Sequence, residues 1–358
     1  MNAQQTKRLQ ACVQEISEIL YQNTPPEDLT TLEGIEKAVR GHMLTEISPR
    51  VGLFFVKTIT GTAQGKTRTL KSCIGELKLK AQQLQRLGIN ARSRVSPLFE
   101  TCCLRVCANA SYAHAQEDLK LLLGMEAAHS SLHRCVARQD LNLPEPNEII
   151  QSMSLDGGKV RLRSPQIGEP SYWRDYKAAC RNEHWVGAYF QDNLSLSDWV
   201  NAQPLDYPLV CLGDGHAGIW KLFGDIATSD QRLEILDWYH LKENLFKVGG
   251  SLKRILKAET FLWYGLVDAV LDLFKDSQLK EAQNFCAYLM GHTSRIVNYA
   301  YFQSMTLMPI PIGSGSVESA VKRIEQRLQL TGAQWNPGNV NQMLTLRCHY
   351  LSGSLNSS

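Results

Sequence analysis

Apolar residues near the amino terminus recur at intervals of three and four positions. This spacing places them on one face of a helix, so the chain begins with a predicted amphipathic helix. The residues of this face are Leu9, Cys12, Val13, Ile16, Ile19 and Leu20. A second helix is predicted after the Pro25-Pro26 break, where Thr30 and Glu33 have the spacing of a capping box.

Residues 65–85 are rich in Lys and Arg and alternate in part by twos, which predicts a basic hairpin. Residues 96–138 return to helical spacing, with a break at Gly124 between two short amphipathic stretches. The break is typical both of a DNA-binding helix-turn-helix and of an ordinary helical hairpin. In the first case, the polar residues of the second helix would face the major groove: Ser130, Ser131, His133 and Arg134.

The second half of the chain changes character after a proline-containing linker at 142–149. Short runs with strand character are followed by helical stretches at 172–181 and 219–226. Such a mixture predicts an α/β sheet with helices on its faces. The predicted strands cover 149–155, 159–163, 184–190, 207–212 and 233–237.

A long helical stretch from about 241 to 305 has no strand character and is predicted to be an insertion. Its most apolar segment, FLWYGLVDAVLDLF, contains Asp268 and Asp272 and is shorter than the roughly 20 apolar residues that cross a membrane. We expect a core helix there. Two further helices are predicted to close the chain, the first beginning at GSGSVES.

Composition indicates a soluble globular protein, with 44% hydrophobic and 20% charged residues among 358. Lys and Arg number 38 against 35 Asp and Glu, so any basic surface must be local. Nothing in the first residues resembles an export signal, and a cytoplasmic location is expected. The ten cysteines include no Cys-x-x-Cys pair. Cys102, Cys103 and Cys107 therefore read as buried reduced thiols and not as zinc ligands.

Three acidic residues stand out by their surroundings. Asp156 lies in SLDGGKV, Asp214 follows the apolar run YPLVCLG, and Glu318 opens a basic helix in GSGSVESAVKR. Each has a plain structural alternative: a hairpin turn at Asp156, a helix cap at Asp214 and a first-turn glutamate at Glu318. An acid at the carboxyl end of a buried strand also sits where α/β sheets bind ligands.

Carboxylates in this number suit phosphodiester chemistry. Transfer of a phosphoryl group requires neutralisation of charge on its oxygens and activation of the attacking oxygen. Two Mg²⁺ ions, about 3.5–4 Å apart, do both in many nucleases, and Mg²⁺ prefers hard oxygen ligands. Lys322 follows Glu318 by one helical turn and could hold a DNA phosphate.

The chain resembles bacterial insertion-sequence transposases of the DDE type, in the Mutator-like superfamily and near its Kra group. The resemblance spans about 96–350 and rests on DGGKVRLR, LGDGHAGIWKLF, LDWYHLKENL and GSGSVESAVKRIEQRLQLTGAQW. It implies a ribonuclease-H-like catalytic domain, a mixed sheet flanked by helices. It also implies that Asp156, Asp214 and Glu318 are the catalytic residues and bind two Mg²⁺ ions, for which Mn²⁺ can substitute.

The same resemblance implies an organisation and a set of partners. It predicts a helical, basic DNA-binding region at 1–92, a helical region at 93–146, a catalytic domain at 147–350 with the insertion, and a disordered tail at 351–358. The expected partners are the terminal inverted repeats of the element and target DNA, bound by a homodimer or higher oligomer at the nucleoid. The DNA-contacting candidates are Lys322, Arg323, Arg327, His240 and Arg134.

Some positions leave alternatives open. Glu325 lies on the same helical face as Glu318 and is its rival as the third carboxylate, although Glu318 sits at the helix entry beside Gly313 and Gly315. Asp237 and His240 resemble a signature of the superfamily, with a structural and a functional role equally open. Trp335 is expected to pack at a core edge. Such relatives often begin with a zinc ribbon, but the residues before 96 contain no ligand set for one.

Two activities follow from these observations. The first is endonucleolytic strand cleavage at the ends of a mobile element, followed by transfer of the freed 3′ hydroxyl to target DNA. The alternative is a domesticated or inactive relative that binds DNA without chemistry. A sugar hydrolase that uses two carboxylates would explain neither the third acid nor the basic helix.

Overall fold

The structure is a computed structural model in which the chain forms two compact units, Met1–Cys135 and Val136–Ser358. The boundary falls ahead of the proline-containing linker. The residues that the structure describes are 1–90, 92–146, 148–181, 185–304 and 310–356.

The first unit consists of helices with one inserted hairpin. In chain order, its elements are α1 (Ala3–Gln22), α2 (Leu32–His42), α3 (Ser48–Thr60), β1 (Thr67–Ser72), β2 (Gly75–Lys80), α4 (Ala81–Arg86), α5 (Pro97–Cys107), α6 (Tyr112–Leu123) and α7 (His129–Ala137). The helix predicted at the amino terminus is confirmed.

The predicted capping box of the second helix is wrong. Thr31, not Thr30, precedes α2 in extended conformation, and its hydroxyl accepts the N–H of Gly34 at 3.0 Å. Thr30 lies at the end of a single 3₁₀ turn and donates its hydroxyl to the carbonyl of Glu27. Because of that turn, the helix begins one residue later than predicted. Sequence spacing alone does not show such a shift.

The basic hairpin is confirmed. Strands β1 and β2 pair in antiparallel register from Thr67↔Lys80 to Ser72↔Gly75. Alternation turns Leu70, Leu77 and Leu79 inwards against Leu84, while Lys71, Lys78 and Lys80 lie on the opposite face. The break at Gly124 is also confirmed, since this glycine ends α6 with a φ of +68°.

The second unit contains the sheet and most of the helices. Its elements are β3 (Ile150–Leu162), β4 (Tyr172–Arg181), β5 (Trp185–Phe190), α8 (Asn193–Asn201), β6 (Leu205–Gly213), α9 (Ala217–Gly224), β7 (Arg232–Leu236), α10 (Trp238–Lys247), α11 (Leu252–Trp263), α12 (Val267–Phe274), α13 (Lys280–His292), α14 (Tyr299–Ser304), α15 (Gly315–Leu328) and α16 (Pro337–Leu351).

Within the described part of this unit, five strands form one mixed sheet in the order β5-β4-β3-β6-β7. Strands β3, β4 and β5 are antiparallel neighbours, whereas β6 and β7 run parallel to β3. Helices lie on both faces, α15 and α16 against β3 to β5 on one and α8 and α9 on the other. The predicted class, a mixed α/β sheet flanked by helices, is confirmed.

Two predictions about these strands are wrong. Asp156 is not in a hairpin turn, because β3 continues through Asp156-Gly157-Gly158 and pairs with β4 along this whole stretch. Residues 172–181 form a strand and not a helix. Their run of small residues, Ala178 to Cys180, suits a helix locally, but β4 is paired on both edges and buried between two layers of helices. Tertiary burial overrides the local preference.

The glycines after Asp156 make room for side chains of the neighbouring strand. Gly158 lies opposite Tyr176, and a Cβ atom on Gly158 would come 2.3 Å from the tyrosine ring. A Cβ atom on Gly157 would come 2.6 Å from Lys177 Nζ. The space above these glycines is therefore occupied by Tyr176 and Lys177.

The predicted insertion is helical throughout its described residues and packs on the sheet through one continuous core that includes Trp238, Leu245, Phe274 and Tyr299. Met305, its predicted end, lies outside the described residues. The segment FLWYGLVDAVLDLF is divided between α11 and α12. In the part of the chain that the structure describes, no helix is long and apolar enough to span a membrane.

The linker and the tail are more ordered than predicted. Leu143 is buried, and the carbonyl of Pro144 accepts the indole N–H of Trp185. Ser354–Asn356 forms a 3₁₀ turn, in which the hydroxyl of Ser354 lies 2.6 Å from His349 Nδ1. Ser357 and Ser358, at the end of the predicted tail, lie outside the described residues, as does His184 at the start of a predicted strand.

All ten cysteines are free thiols. Cys103 and Cys107 are buried and Cys102 is partly buried, as expected. Burial raises the pKa of Cys103 well above its usual range, so its thiol stays protonated.

The close approach at Gly158 gives a stability prediction. Gly158→Ala should lower the free energy of unfolding by about 1–3 kcal/mol, because a methyl group would push Tyr176 from its position between β3 and α15. Urea unfolding measures this. Gly224→Ala is the matched control, since a Cβ atom there meets nothing within 4 Å. Equal stability of the two variants would contradict the packing described.

Candidate active site

Three aspartates lie at one edge of the sheet, Asp156 within β3 and Asp214 and Asp237 directly after β6 and β7. In the parallel pairing of β3 with β6, Ser154 lies opposite Leu212, which places Asp156 opposite Asp214 two residues further on. In the pairing of β6 with β7, Gly213 lies opposite Leu236, which places Asp214 opposite Asp237. The acids therefore form a row where β6 and β7 end, the edge at which parallel sheets bind ligands.

Asp156 occupies the inner end of this row and is half-buried. Its Oδ1 accepts the N–H of Gly157 at 2.6 Å. Burial raises the pKa of this carboxyl, and the negative charges of Asp214 and Glu318 raise it further. The hydrogen bond from Gly157 and the charge of Lys177 oppose this rise without cancelling it. Asp214 and Glu318 are thus both near enough to Asp156 for their charges to act on it.

Asp214 lies in a tight loop between β6 and α9. Its Oδ1 accepts the N–H of His216 at 2.8 Å, which holds the carboxylate at the end of the strand. The next residue, Gly215, has a φ of +97°, and a Cβ atom there would come 2.6 Å from Tyr288 Oη. Only glycine combines this backbone conformation with the approach of α13. The interpretation of Asp214 as a helix cap is wrong, because His216 is the residue that caps α9.

Asp237 has a structural role that its sequence position left open. Its side chain is 1% exposed. Oδ1 accepts the N–H of His240 at 2.8 Å, and Oδ2 accepts both the N–H and the hydroxyl of Ser314, the latter at 2.7 Å. Burial would raise the pKa of Asp237, but the contacts with His240 and Ser314 outweigh it and lower this pKa. Asp237 therefore stays ionised and joins the end of β7 to the start of α15.

Glu318 reaches the row from α15. It lies in the first turn of this helix, as predicted, where the helix dipole favours a carboxylate. Its Oε1 is 3.6 Å from His240 Nε2, and its Oε2 is 3.7 Å from Lys322 Nζ. Lys322 thus shares a face of α15 with Glu318, as its spacing predicted.

Glu325, the rival third carboxylate, lies away from the row. It is two helical turns after Glu318, about 10 Å further along α15. Its Oε1 accepts the amide of Gln329 at 2.8 Å and the N–H of Lys159, on the outer half of β3, at 3.4 Å. These contacts fix α15 on the edge of the sheet and support Glu318 as the acid that belongs with Asp156 and Asp214.

His240 lies between Asp237, which has a structural role, and Glu318, which is a candidate metal ligand. Its Nδ1 lies 3.3 Å from Asp237 Oδ1, and its Nε2 lies 3.6 Å from Glu318 Oε1. The contact with Asp237 raises the pKa of His240 to about 9; burial opposes this rise, and the charges of Glu318 and Asp214 add to it. His240 is thus a cation at neutral pH and offsets part of the negative charge at the site.

The other candidate DNA-contacting residues differ in how exposed their side chains are. Lys322 is 74% exposed and lies beside Glu318, so it can reach a ligand there. Arg323 is partly buried and lies five residues after Glu318, on another side of α15. Arg327 cannot reach such a ligand. It is 2% exposed and stacks over the ring of Trp335 at 5.0 Å, because this side of α15 packs against the end of the chain. Arg134 is exposed on α7 of the first unit, on the predicted second helix of the helix-turn-helix.

Trp335 is a packing residue, as expected. Its indole N–H donates to the carbonyl of Leu328, and its backbone pairs with Arg161 and Arg163 beside the sheet.

Several residues of the site carried no sequence signal. Ser314 belongs to a Gly-Ser stretch that only marks the start of a helix, and Lys177 lies in a segment whose sequence predicts a helix. Tyr288 and His292, both on α13, pack against Gly215 and against each other, with ring centroids 4.7 Å apart. Their separation of four residues marks one helix face, but nothing in the sequence shows which partner that face meets.

The donor set suits a hard divalent cation. Among the described residues, no three His, Cys, Asp or Glu side chains form a ready-made metal cage. Mg²⁺ does not need one, because it keeps several waters and takes only one or two protein carboxylates. Asp156, Asp214 and Glu318 offer oxygen ligands whose mutual repulsion a cation would relieve.

The chain matches no protein-family model, and no curated protein matches it at a significant level.

The paired charges of His240 and Asp237 predict a pH-dependent stability. A histidine whose pKa rises from 6.5 to about 9 on folding stabilises the folded chain fully below about pH 6.5, and this stabilisation is lost as the pH rises through 9. His240→Gln should therefore lower the free energy of unfolding more at pH 6 than at pH 9.5. Denaturant unfolding at both pH values measures the difference.

The exposed His114 on α6 provides the matched control, His114→Gln, for loss of a histidine as such. A deficit of His240→Gln that is the same at both pH values would mean that the imidazole contributes through packing and not through its charge.

Proposed function

We propose that this chain is a metal-dependent DNA strand-transferase of the DDE transposase kind, with Asp156, Asp214 and Glu318 as its catalytic carboxylates. The observation that carries the proposal is their convergence. Asp156 lies in β3, Asp214 directly follows the neighbouring strand β6, Glu318 lies in the first turn of α15, and the charges of Asp214 and Glu318 raise the pKa of Asp156. The mixed sheet with helices on both faces is compatible with a ribonuclease-H-like domain.

In this proposal, each residue of the site has a role that follows from its position. Asp156 and Asp214 supply oxygen ligands from the rigid sheet, and Glu318 supplies the third from a helix that Asp237 anchors. When bound there, two Mg²⁺ or Mn²⁺ ions would neutralise charge on the phosphodiester and activate the attacking water or 3′ hydroxyl. Lys322 then holds a phosphate of the strand that lies across the site.

The proposed substrates are the inverted repeats that end a mobile element and the target DNA that receives it. Net charge is only +3, so DNA must be held by local basic surfaces. Two such surfaces are present, the start of α15 with Lys322 and Arg323, and the outward face of the β1–β2 hairpin.

A second candidate function is DNA binding without chemistry, by a domesticated or inactive relative. The observation that favours it lies in the first unit. Residues Ser130, His133 and Arg134 of α7 line a cleft of about 490 Å³ with Tyr112, and this polar face suits a recognition helix.

Substitution of the carboxylates tests the proposal. Asp156→Asn, Asp214→Asn and Glu318→Gln should each lower Mg²⁺- or Mn²⁺-dependent cleavage of DNA that carries the element ends by at least about a hundredfold, because each removes a charged oxygen ligand. Binding of the same DNA should persist, since its contacts come from basic side chains. Strand-cleavage assays and a binding titration at matched salt measure the two effects.

Glu325→Gln is the matched control. It changes an acid of the same helix whose partners are Gln329 and Lys159, so cleavage should stay near the wild-type rate. Cleavage that persists in Asp214→Asn would refute the assignment. Binding without cleavage by the wild-type chain would favour the second candidate.

A further inference from the structure

Two cysteines of the first unit lie side by side. The sulfur atoms of Cys73 and Cys102 are 3.9 Å apart, although 29 residues separate them in the chain. Cys73 lies in the turn of the basic hairpin, between β1 and β2, and Cys102 lies on α5. Both residues are partly exposed, so a small reagent can reach them from the solvent.

Backbone pairing holds the two cysteines in this position. Lys71, two residues before Cys73, pairs with the segment that precedes α5. Its N–H donates to the carbonyl of Arg94 at 3.0 Å, and its carbonyl accepts the N–H of Ser96 at 2.8 Å. Ser96 in turn caps α5, since its hydroxyl accepts the N–H of Phe99 at 3.3 Å. The approach of the two sulfur atoms is therefore built into the fold.

The hairpin turn itself is tight. Strand β1 ends at Ser72 and β2 begins at Gly75, so the turn consists of Cys73 and Ile74. The hydroxyl of Ser72 donates to the carbonyl of Gly75 at 2.6 Å and accepts the N–H of Ile74 at 3.3 Å. Gly75 has a φ of +99°, a conformation that glycine adopts without strain. A turn held in this way has little freedom to carry Cys73 away from Cys102.

The neighbouring cysteines are less accessible than this pair. Cys103, the next residue of α5, is buried, as are Cys107 and Cys135. Consecutive residues of a helix point about 100° apart, so Cys103 lies on a different side of α5 from Cys102. Buried thiols react slowly with reagents in water. Of these five cysteines, Cys73 and Cys102 combine mutual contact with access to solvent.

We propose that Cys73 and Cys102 form a reversible disulfide, which fastens the turn of the basic hairpin to α5 when the chain meets a small-molecule disulfide such as oxidised glutathione. The sulfur atoms need to approach by only about 2 Å to reach the bonded distance. In a reducing compartment such a bond is transient and responds to the redox state. The proposal concerns the first unit alone and does not depend on the proposed activity.

The bond forms by two steps of thiol–disulfide exchange. Burial, together with the neighbouring Cys102, raises the pKa of Cys73 to about 11, so Cys73 is protonated at neutral pH. Cys102 therefore attacks first: its thiolate breaks the S–S bond of oxidised glutathione, forms a mixed disulfide and releases one reduced glutathione. Cys73 then attacks the sulfur of Cys102, loses its proton to solvent and displaces the second glutathione. Two protein thiols are oxidised, and one glutathione disulfide is reduced to two thiols.

Oxidation of the folded, full-length chain tests the pair. The chain is incubated with oxidised glutathione, the remaining thiols are alkylated, and the tryptic peptides are identified by mass spectrometry. Trypsin places Cys73 in peptide 72–78 and Cys102 in peptide 95–105. A disulfide between these two peptides should exceed every other cysteine link at least about tenfold, because the fold keeps the two sulfur atoms in contact. Unfolding in urea before oxidation should remove this excess.

Serine variants identify the sulfur atoms. Cys102→Ser should abolish the link, and it distinguishes Cys102 from Cys103, which shares its peptide. Cys73→Ser should also abolish the link, but should leave glutathione attached to Cys102, because the second step then has no attacking thiol. Cys12→Ser is the matched control, since Cys12 is exposed on α1 and its loss should leave the yield of the link unchanged.

Hydrogen exchange measures what the bond does to the structure. Amides of β1 and β2 should exchange at least about tenfold more slowly in the oxidised chain, because the bond opposes local opening of the hairpin. Amides of the five-stranded sheet should keep their rates, and dithiothreitol should restore those of the hairpin. The proposal is overturned by a folded chain that forms no excess of this link, by a link that survives in Cys102→Ser, or by hairpin amides that exchange equally fast in both states.

Discussion

The second unit depends on one buried carboxylate. Asp237 ends β7, and its two oxygens are saturated by Ser314 and by the backbone of His240. A buried charge is tolerated only when it is fully hydrogen-bonded, so this contact fixes three chain segments with little freedom. Nearby backbone contacts reinforce it, since the N–H of Trp238 donates to Ile312 and the hydroxyl of Tyr299 donates to Leu236. The position of Glu318 follows from this anchor.

The candidate site is organised by repulsion as much as by attraction. The charges of Asp214 and Glu318 raise the pKa of Asp156, and the positive charges of His240 and Lys322 lie beside Glu318. Such a group is not selected for stability, because removal of one acid would relieve the others. Clustered negative charge destabilises the fold unless a positively charged ligand neutralises it. Carboxylate oxygens at the end of a sheet are suited to a divalent cation and to the phosphates that it binds.

Sequence patterns predicted the structure correctly where a single residue type, or the spacing of apolar residues in one segment, decides it. The hairpin at 65–85, the break at Gly124 and the start of α15 all follow from alternation, positive φ and helix punctuation. Sequence reasoning failed where neighbours in space decide. The glycines after Asp156 indicated a turn, yet they lie in a strand because Tyr176 and Lys177 fill the space above them. Arg327 is a candidate DNA contact by its sequence position, yet it is buried against Trp335.

The sequence by itself determined the class of the fold and the three acids of the candidate site, because helix and strand periods and the residues that flank Asp214 and Glu318 are properties of short segments. It could not rank Glu318 against Glu325 by geometry or separate the roles of Asp237 and Asp214. Those decisions belong to the tertiary structure. Strand register places Asp156, Asp214 and Asp237 in one row, and hydrogen bonding then engages Asp237 while Asp214 and Glu318 keep oxygens that can bind a ligand. Both effects arise between residues far apart in the chain, where no local pattern records them.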